Sequence, residues 1–112
     1  MGANPITGHS LRYTFADGQM AGKSYDHTFS RNGNVSFREV GGGPEAKPGG
    51  AEQYHVASIC PDVYVVSYLS PAGHTLTTIL DYRAMKLVAF ASNENSLSMQ
   101  HGTFELLGSA PR

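Results

Sequence analysis

The chain has 112 residues, a formal net charge of −1 at pH 7 and 40% hydrophobic residues, which predicts one domain, residues 1–112, with its own core. It contains no cluster of Lys or Arg and no apolar run of about 20 residues, so we expect neither nucleic acid nor a membrane as a partner. With one cysteine and no signal-like apolar segment after Met1, the composition is typical of a cytoplasmic protein.

Short β-type segments separated by turn residues follow one another from residue 11 onward. Residues 11–16 alternate apolar and polar side chains, and Asp17-Gly18 after them is a strong hairpin signal. In the later segments Val, Ile, Tyr and Thr dominate, and Pro and Gly separate the runs. The further predicted strands are residues 19–30, 35–40, 53–60, 63–69, 75–81, 86–92 and 97–107.

Two segments lack a strand pattern. Residues 1–8 contain two glycines and a proline without any period, so we expect this terminus to be flexible or to lie across one end of the fold. Residues 41–51 carry five glycines and two prolines, which predicts a mobile loop. This loop is interpreted with equal weight as a lid over an internal pocket or as an inert excursion.

Eight short strands joined mostly by tight turns indicate an all-β fold. The architecture that fits best is a single eight-stranded antiparallel up-and-down barrel, because closure removes the exposed edges of an open sheet. An eight-stranded barrel can hold side chains or one small ligand inside. A β-sandwich is the alternative, since the number of strands alone does not separate the two.

Candidate catalytic residues are polar groups that fall on otherwise apolar strand faces. His27 lies between Tyr25 and Phe29 on one face of the second predicted strand, so it is expected to point inward. Tyr13 is a further candidate for proton transfer beside such a histidine.

The last predicted strand offers a second histidine. His101 and Glu105 share one face there, where the carboxylate could orient the imidazole for general acid–base catalysis. The alternative is a bulge at Gly102 that turns Phe104 and Leu106 inward and leaves Glu105 in solvent.

Aromatic residues supply most of the predicted ligand contacts. A ring of tyrosines around a pocket could hold a planar acid or phenol, although each could also serve only in packing. Arg38 is a candidate partner for an acidic ligand, with a solvated arginine as the alternative. The full predicted set of ligand contacts is Tyr13, Phe15, Tyr25, Arg38, Tyr54, Tyr64 and Tyr68.

No cofactor or metal site is predicted. The five histidines show neither H-x-H nor H-E-x-x-H spacing, and no phosphate-binding glycine motif is present. Cys60 is expected to be a buried small side chain rather than a reactive thiol.

Three stretches carry a family resemblance. GHSLRYTFADG at residues 8–18, EQYHV at 52–56, and VYVVSYLSPAG at 63–73 followed by TTI at 77–79 resemble the calycin-type, lipocalin-like barrels of the molybdenum cofactor biosynthesis protein F-like (MoaF-like) group. The order of these motifs is also similar to that of phenolic acid decarboxylases. The resemblance implies an eight-stranded antiparallel barrel that binds a small aromatic or conjugated acid inside.

The decarboxylase motifs are only partly present. A Tyr-x-Tyr pair on the first strand of that family corresponds here to Tyr13 and Phe15. A Trp-Thr-Glu-Pro run corresponds to residues 68–71, in which Ser70 replaces the catalytic acid, and the family's arginine has only Lys47 as a basic counterpart. A serine hydroxyl does not change charge near neutral pH. We therefore predict that this protein does not decarboxylate phenolic acids.

Three functions remain as hypotheses. The first is a barrel that binds one small apolar or aromatic molecule and could act on it as a cofactor-independent lyase, isomerase or cyclase. The second is a non-catalytic binding or carrier barrel, and the third is a scaffold with a filled interior. Association as a homodimer is compatible with each of them.

Overall fold

The computed structural model describes residues 4–41, 49–51, 53–70 and 73–109. These residues form nine strands and one 3-10 turn, Gly18–Met20. No helix in this part of the chain is long and apolar enough to cross a bilayer. The strands are β1 His9–Phe15, β2 Ser24–Phe29, β3 Val35–Glu39, β4 Gly49–Ala51, β5 Tyr54–Cys60, β6 Val63–Leu69, β7 Thr75–Asp81, β8 Lys86–Ser92 and β9 Leu97–Ser109.

All nine strands belong to one antiparallel sheet in the order β4-β3-β2-β1-β9-β8-β7-β6-β5. The sheet curls so that β2 and β6 face each other. The contact that shows this is between His27 Nε2 on β2 and the Tyr68 hydroxyl on β6, which lie 3.1 Å apart. At the other end of the curl, the Tyr54 hydroxyl donates to the Ser30 carbonyl at 2.8 Å. The all-β, barrel-like prediction is confirmed, but the expected closure is not: within the described residues, the end strands β4 and β5 do not pair with each other.

A ninth strand appears where the sequence predicts only a loop. Gly49–Ala51 pairs with β3, in the register Phe37 to Gly49 and Val35 to Ala51. Glycine is required at position 49 because a Cβ there would overlap the Phe37 ring. Residues 42–48 lie outside the described part of the chain, so the lid interpretation of this loop stays a prediction.

The connection from β1 to β2 is longer than the predicted hairpin. Gly18–Met20 forms a 3-10 turn, and β2 begins only at Ser24. The Asp17 carboxylate accepts a hydrogen bond of 2.7 Å from the backbone N–H of His101 instead of closing a two-residue turn. The predicted start of the second strand at residue 19 is therefore wrong, because this long-range contact replaces the local turn.

One end of the curled sheet is filled by apolar side chains. Ile6 is 0% exposed, and the Asn4 side chain holds this segment by accepting from the backbone N–H groups of Ile6 and Thr7 at 2.8 and 2.7 Å. The described residues 4–8 are thus anchored to the core by Ile6. The other fully buried side chains are Leu11, Phe29, Val35, Val66, Leu80 and Leu87.

Candidate functional site: an internal cavity

A cavity of about 310 Å³, partly open to solvent, lies away from Ile6 between the two halves of the sheet. Its lining comes from the end of β1, the start of β2, and the facing ends of β6, β7, β8 and β9. The exposed residues Ser96 and Leu97 stand at its rim. A volume near 300 Å³ is at the small end of the range for ligand pockets.

Strand alternation explains why these side chains meet. On β1, Tyr13 and Phe15 are buried while Thr14 between them is exposed, as expected for a strand with one face toward a core. The close approach of β1 to β9 requires Gly102, because a Cβ there would overlap the Thr14 carbonyl. Tyr25 pairs directly with Tyr13 across β1 and β2, so two aromatic rings lie side by side in the wall.

His27 lies within a group of aromatic rings. Its imidazole is stacked on Tyr13, with ring centroids 4.1 Å apart and planes 24° apart. Phe29 and Phe37 flank it at centroid distances of 5.9 and 5.5 Å. Its Nε2 shares a hydrogen bond of 3.1 Å with the Tyr68 hydroxyl. The buried imidazole therefore has aromatic rings on several sides and one polar partner.

Burial keeps the polar groups of this site uncharged. Desolvation lowers the pKa of His27 to about 4, against opposing contributions from the Tyr25 backbone and the Asp26 carboxylate. Burial also raises the pKa of the Tyr68 hydroxyl, and it raises the pKa of Tyr13 well above its usual value. Near neutral pH the site thus contains a neutral imidazole and neutral phenols.

Two buried polar atoms of the site lack a hydrogen-bond partner within the described residues: the Tyr13 hydroxyl and His27 Nδ1. Leaving such a group unsatisfied typically costs about 1–3 kcal/mol. Such unpaired groups are few in native proteins.

The remaining polar lining consists of hydroxyl, amide and imidazole groups. Thr78 and Gln100 are each 6% exposed, and Ser98 lies between them and the rim. His74 reaches the lining from the turn before β7, where its backbone N–H donates to the Ser70 hydroxyl at 3.2 Å. No Lys, Arg, Asp or Glu of the described residues lines the cavity.

The structure brings five predicted site residues together. They all line the cavity and share its aromatic character: Tyr13, Phe15, Tyr25, His27 and Tyr68. What they do there stays a prediction. Their inward orientation follows from the alternation seen in the sequence.

Three predicted ligand contacts lie elsewhere. Tyr54 is buried at the packed end, where its ring meets Phe29 edge-on and its hydroxyl donates to a backbone carbonyl. Tyr64 packs against Tyr82, with ring centroids 5.7 Å apart, and does not line the cavity. Arg38 is exposed on the outer face of β3, as in its alternative interpretation.

His101 and Glu105 do not point inward, which agrees with the alternative interpretation that leaves Glu105 in solvent. Both are exposed on the outer face of β9, and His101 Nδ1 lies 2.9 Å from an Asp17 carboxylate oxygen. β9 directs the other set of residues inward, including Gly102 and Phe104, and its ladder with β1 is regular there. The register shift lies instead near Ser10, so Glu105 reaches solvent without the proposed bulge at Gly102.

Cys60 is also placed differently from the prediction. It is exposed because it stands at the end of the edge strand β5, just before the Pro61-Asp62 turn. No group of three His, Cys, Asp or Glu residues within the described segments is arranged to hold a metal ion.

Several cavity residues were not singled out from the sequence. They are mostly small or neutral side chains. Strand alternation through β3, β7, β8 and β9 could have identified them once the inward face of each strand was known. They include Phe37, Thr78, Ala89, Ala91, Ser98 and Gln100.

Comparisons with known proteins agree with this architecture. A family model described as the MoaF N-terminal domain matches residues 3–95. A crystal structure described as a "putative beta-lactamase" from Burkholderia vietnamiensis superposes with a TM-score of 0.76 and 14% sequence identity, covering 96% of this chain and 100% of that chain. At this identity the likeness shows the fold alone. No curated protein gives a significant sequence match.

Proposed function

Because the chain belongs to the MoaF N-terminal domain family and folds around an internal cavity, we propose that it binds one small apolar or aromatic molecule inside the curled sheet. The observation that carries this proposal is the cavity of about 310 Å³ with its aromatic wall. The pocket is concave and partly open to solvent, and most of its wall is aromatic or aliphatic, as in small-molecule sites. A scaffold with a filled interior would not need this space.

The wall favours a planar ligand. Tyr13, Phe37 and Tyr68 surround His27 with ring faces and edges, and aromatic pairs prefer such offset or edge-on contacts. Thr78 and Gln100 supply neutral hydrogen-bonding groups that could orient one polar substituent.

Catalysis is the second candidate function, and one contact favours it. The His27–Tyr68 hydrogen bond could move one proton without a cofactor, as a lyase or isomerase requires. A base with a pKa of about 4 and a phenol with a raised pKa are, however, poorly matched to proton transfer near neutral pH. Binding without turnover is therefore the function that the site supports best.

Decarboxylation of phenolic acids is not part of the proposal. Ser70 supports the turn before β7 by accepting from the His74 N–H, and no carboxylate of the described chain lines the cavity. We also propose a cytoplasmic location, because the exposed thiol of Cys60 would be open to oxidation outside a reducing compartment.

The direct test is calorimetric titration with 2-naphthol, a planar molecule that is uncharged near neutral pH. We expect saturable one-to-one binding that weakens at least about tenfold in Ala91→Phe, where a larger ring fills the cavity. Ala57→Phe, with the same change at an exposed residue of β5, should bind like the native protein. Absence of saturable binding by the native protein would overturn the proposal.

A further inference from the structure

We propose that the cavity selects uncharged ligands and rejects both the carboxylate and the ammonium counterparts of the same molecule. This inference rests on the proposed function, and it is more specific because it assigns the charge of the ligand. It starts from the lining, which among the described residues contains aromatic, aliphatic, hydroxyl, amide and imidazole side chains only.

The cationic side chains of the described chain are on the outside. Arg12 alternates with the buried Tyr13 and forms an ion pair of 2.7 Å with Asp26 on the outer face. Arg83 pairs with Asp62 at 3.3 Å, and the Arg83 side chain is mostly exposed. Arg38 is exposed on β3. The other described basic residues, Lys23, Arg31 and Lys86, are exposed as well. None of them lines the cavity to neutralise a bound acid.

His27 does not supply a positive charge to the cavity in place of Lys or Arg. Its imidazole is buried between Tyr13 and Phe37, and its Nε2 shares a hydrogen bond with the neutral Tyr68 hydroxyl. Because burial lowers its pKa to about 4, it carries no charge near neutral pH. A carboxylate placed beside His27, Thr78 and Gln100 would therefore lose its hydration and gain only neutral hydrogen-bond partners, which does not compensate for burying a charge.

The same argument applies to a cationic ligand. The aromatic rings could attract an ammonium group through their faces, but such contacts are weak beside the loss of hydration when no carboxylate is present. In contrast, an amide, hydroxyl or carbonyl group of an uncharged ligand can exchange hydrogen bonds with Thr78, Ser98 and Gln100. The cavity thus matches a planar molecule with one neutral polar group.

The test compares three probes of one shape on the full chain near neutral pH: 2-naphthamide, 2-naphthoate and 2-naphthylmethylammonium. We expect calorimetry to give saturable binding of the amide and affinities about 100-fold or more weaker for both ions. If either ion binds as tightly as the amide, the charge selection is wrong while the binding function stands. If none of the three binds, the proposed function fails.

A pair of variants locates the source of the selectivity. Ser98→Lys adds a cation to the lining, and we expect it to raise the affinity for 2-naphthoate at least about tenfold relative to the amide. Thr103→Lys adds the same charge to the exposed outer face of β9 and should leave the ratio of the affinities for 2-naphthoate and 2-naphthamide unchanged. An equal gain in both variants would show that overall charge, not the cavity, sets the selectivity and would overturn the inference.

Discussion

His27 is the residue whose chemistry depends most on its surroundings. The groups that face it are the Tyr13 ring from β1, the Phe29 ring from β2, the Phe37 ring from β3 and the Tyr68 hydroxyl from β6, and its neighbour in the chain is Asp26. Only Asp26 is charged among them, and it lies on the outer face in its ion pair with Arg12. His27 is thus kept neutral by desolvation rather than by a paired charge.

This burial predicts a pH-dependent stability. The pKa of His27 is about 4 in the folded chain against 6.5 for an ordinary histidine, so the stabilisation is fully present above pH 6.5 and is lost as the pH falls toward 4. The pKa difference corresponds to roughly 3 kcal/mol in the free energy of unfolding. Urea unfolding followed by circular dichroism over this range measures the loss. His27→Gln should show a flatter profile, and an unchanged slope in that variant would contradict the account.

The two cavity tyrosines should respond differently to loss of a hydroxyl. Tyr68→Phe removes the partner of His27 Nε2, so we expect a loss of about 1–3 kcal/mol in unfolding free energy. Tyr13→Phe removes a buried hydroxyl that has no partner within the described residues, so its cost should be below about 1 kcal/mol. Chemical denaturation of both variants measures the two losses of unfolding free energy. A larger loss for Tyr13→Phe than for Tyr68→Phe would contradict the assignment of the hydrogen-bonded role to the Tyr68 hydroxyl.

At the scale of the strands, local pattern predicted the second half of the sheet well. β6, β7 and β8 have the predicted bounds, because their β-branched runs end in turn residues such as Pro61-Asp62, where Asp62 has a positive φ of 68°. The first hairpin failed because Asp17 bonds to β9, a contact between residues far apart in sequence. No local signal contains that information.

The inward face of β9 was predicted only in part, because the alternative interpretation turned Phe104 inward correctly but also Leu106, which is 58% exposed. Leu97 and Met99 are 73% and 50% exposed, whereas Gln100 and Gly102 point inward, so the apolar pattern indicates the wrong face. Gly102 is selected by the close approach of β1, which only the assembled sheet reveals. Five cavity residues were found because they lie on β1, β2 and β6, where the pattern is regular.

The contact at Gly102 gives a test of the β1–β9 pairing. Gly102→Ala places a Cβ against the Thr14 carbonyl, and we expect a loss of about 1–3 kcal/mol from the strain of overpacking. In a domain of this size that corresponds to a fall of at least about 4 °C in the melting temperature. Thr103→Ala, the neighbouring change on the exposed face, serves as the control. Equal melting temperatures for Gly102→Ala and the native protein would show that the two strands are not held this closely.

At the scale of the whole molecule, the curled sheet has two different ends. Ile6 and the large aliphatic side chains fill one end, and the aromatic cavity occupies the space toward the other. The sheet runs through β1 and β9 without interruption, so both ends share one continuous frame. The proposed ligand site thus lies toward one end of a single small core, and the large aliphatic side chains fill the other end.

The central claim is that a small aromatic ligand binds inside this sheet, and intermolecular nuclear Overhauser effects with bound 2-naphthamide test it most directly. The account predicts contacts from the ligand protons to the inward methyl groups of Thr78, Ala89 and Ala91, which line the cavity. The alternating residues Ile79 and Val88 pair with each other on the outer face and should give none. Contacts confined to Ile79 and Val88, or none with any methyl group at saturating ligand, would contradict the account.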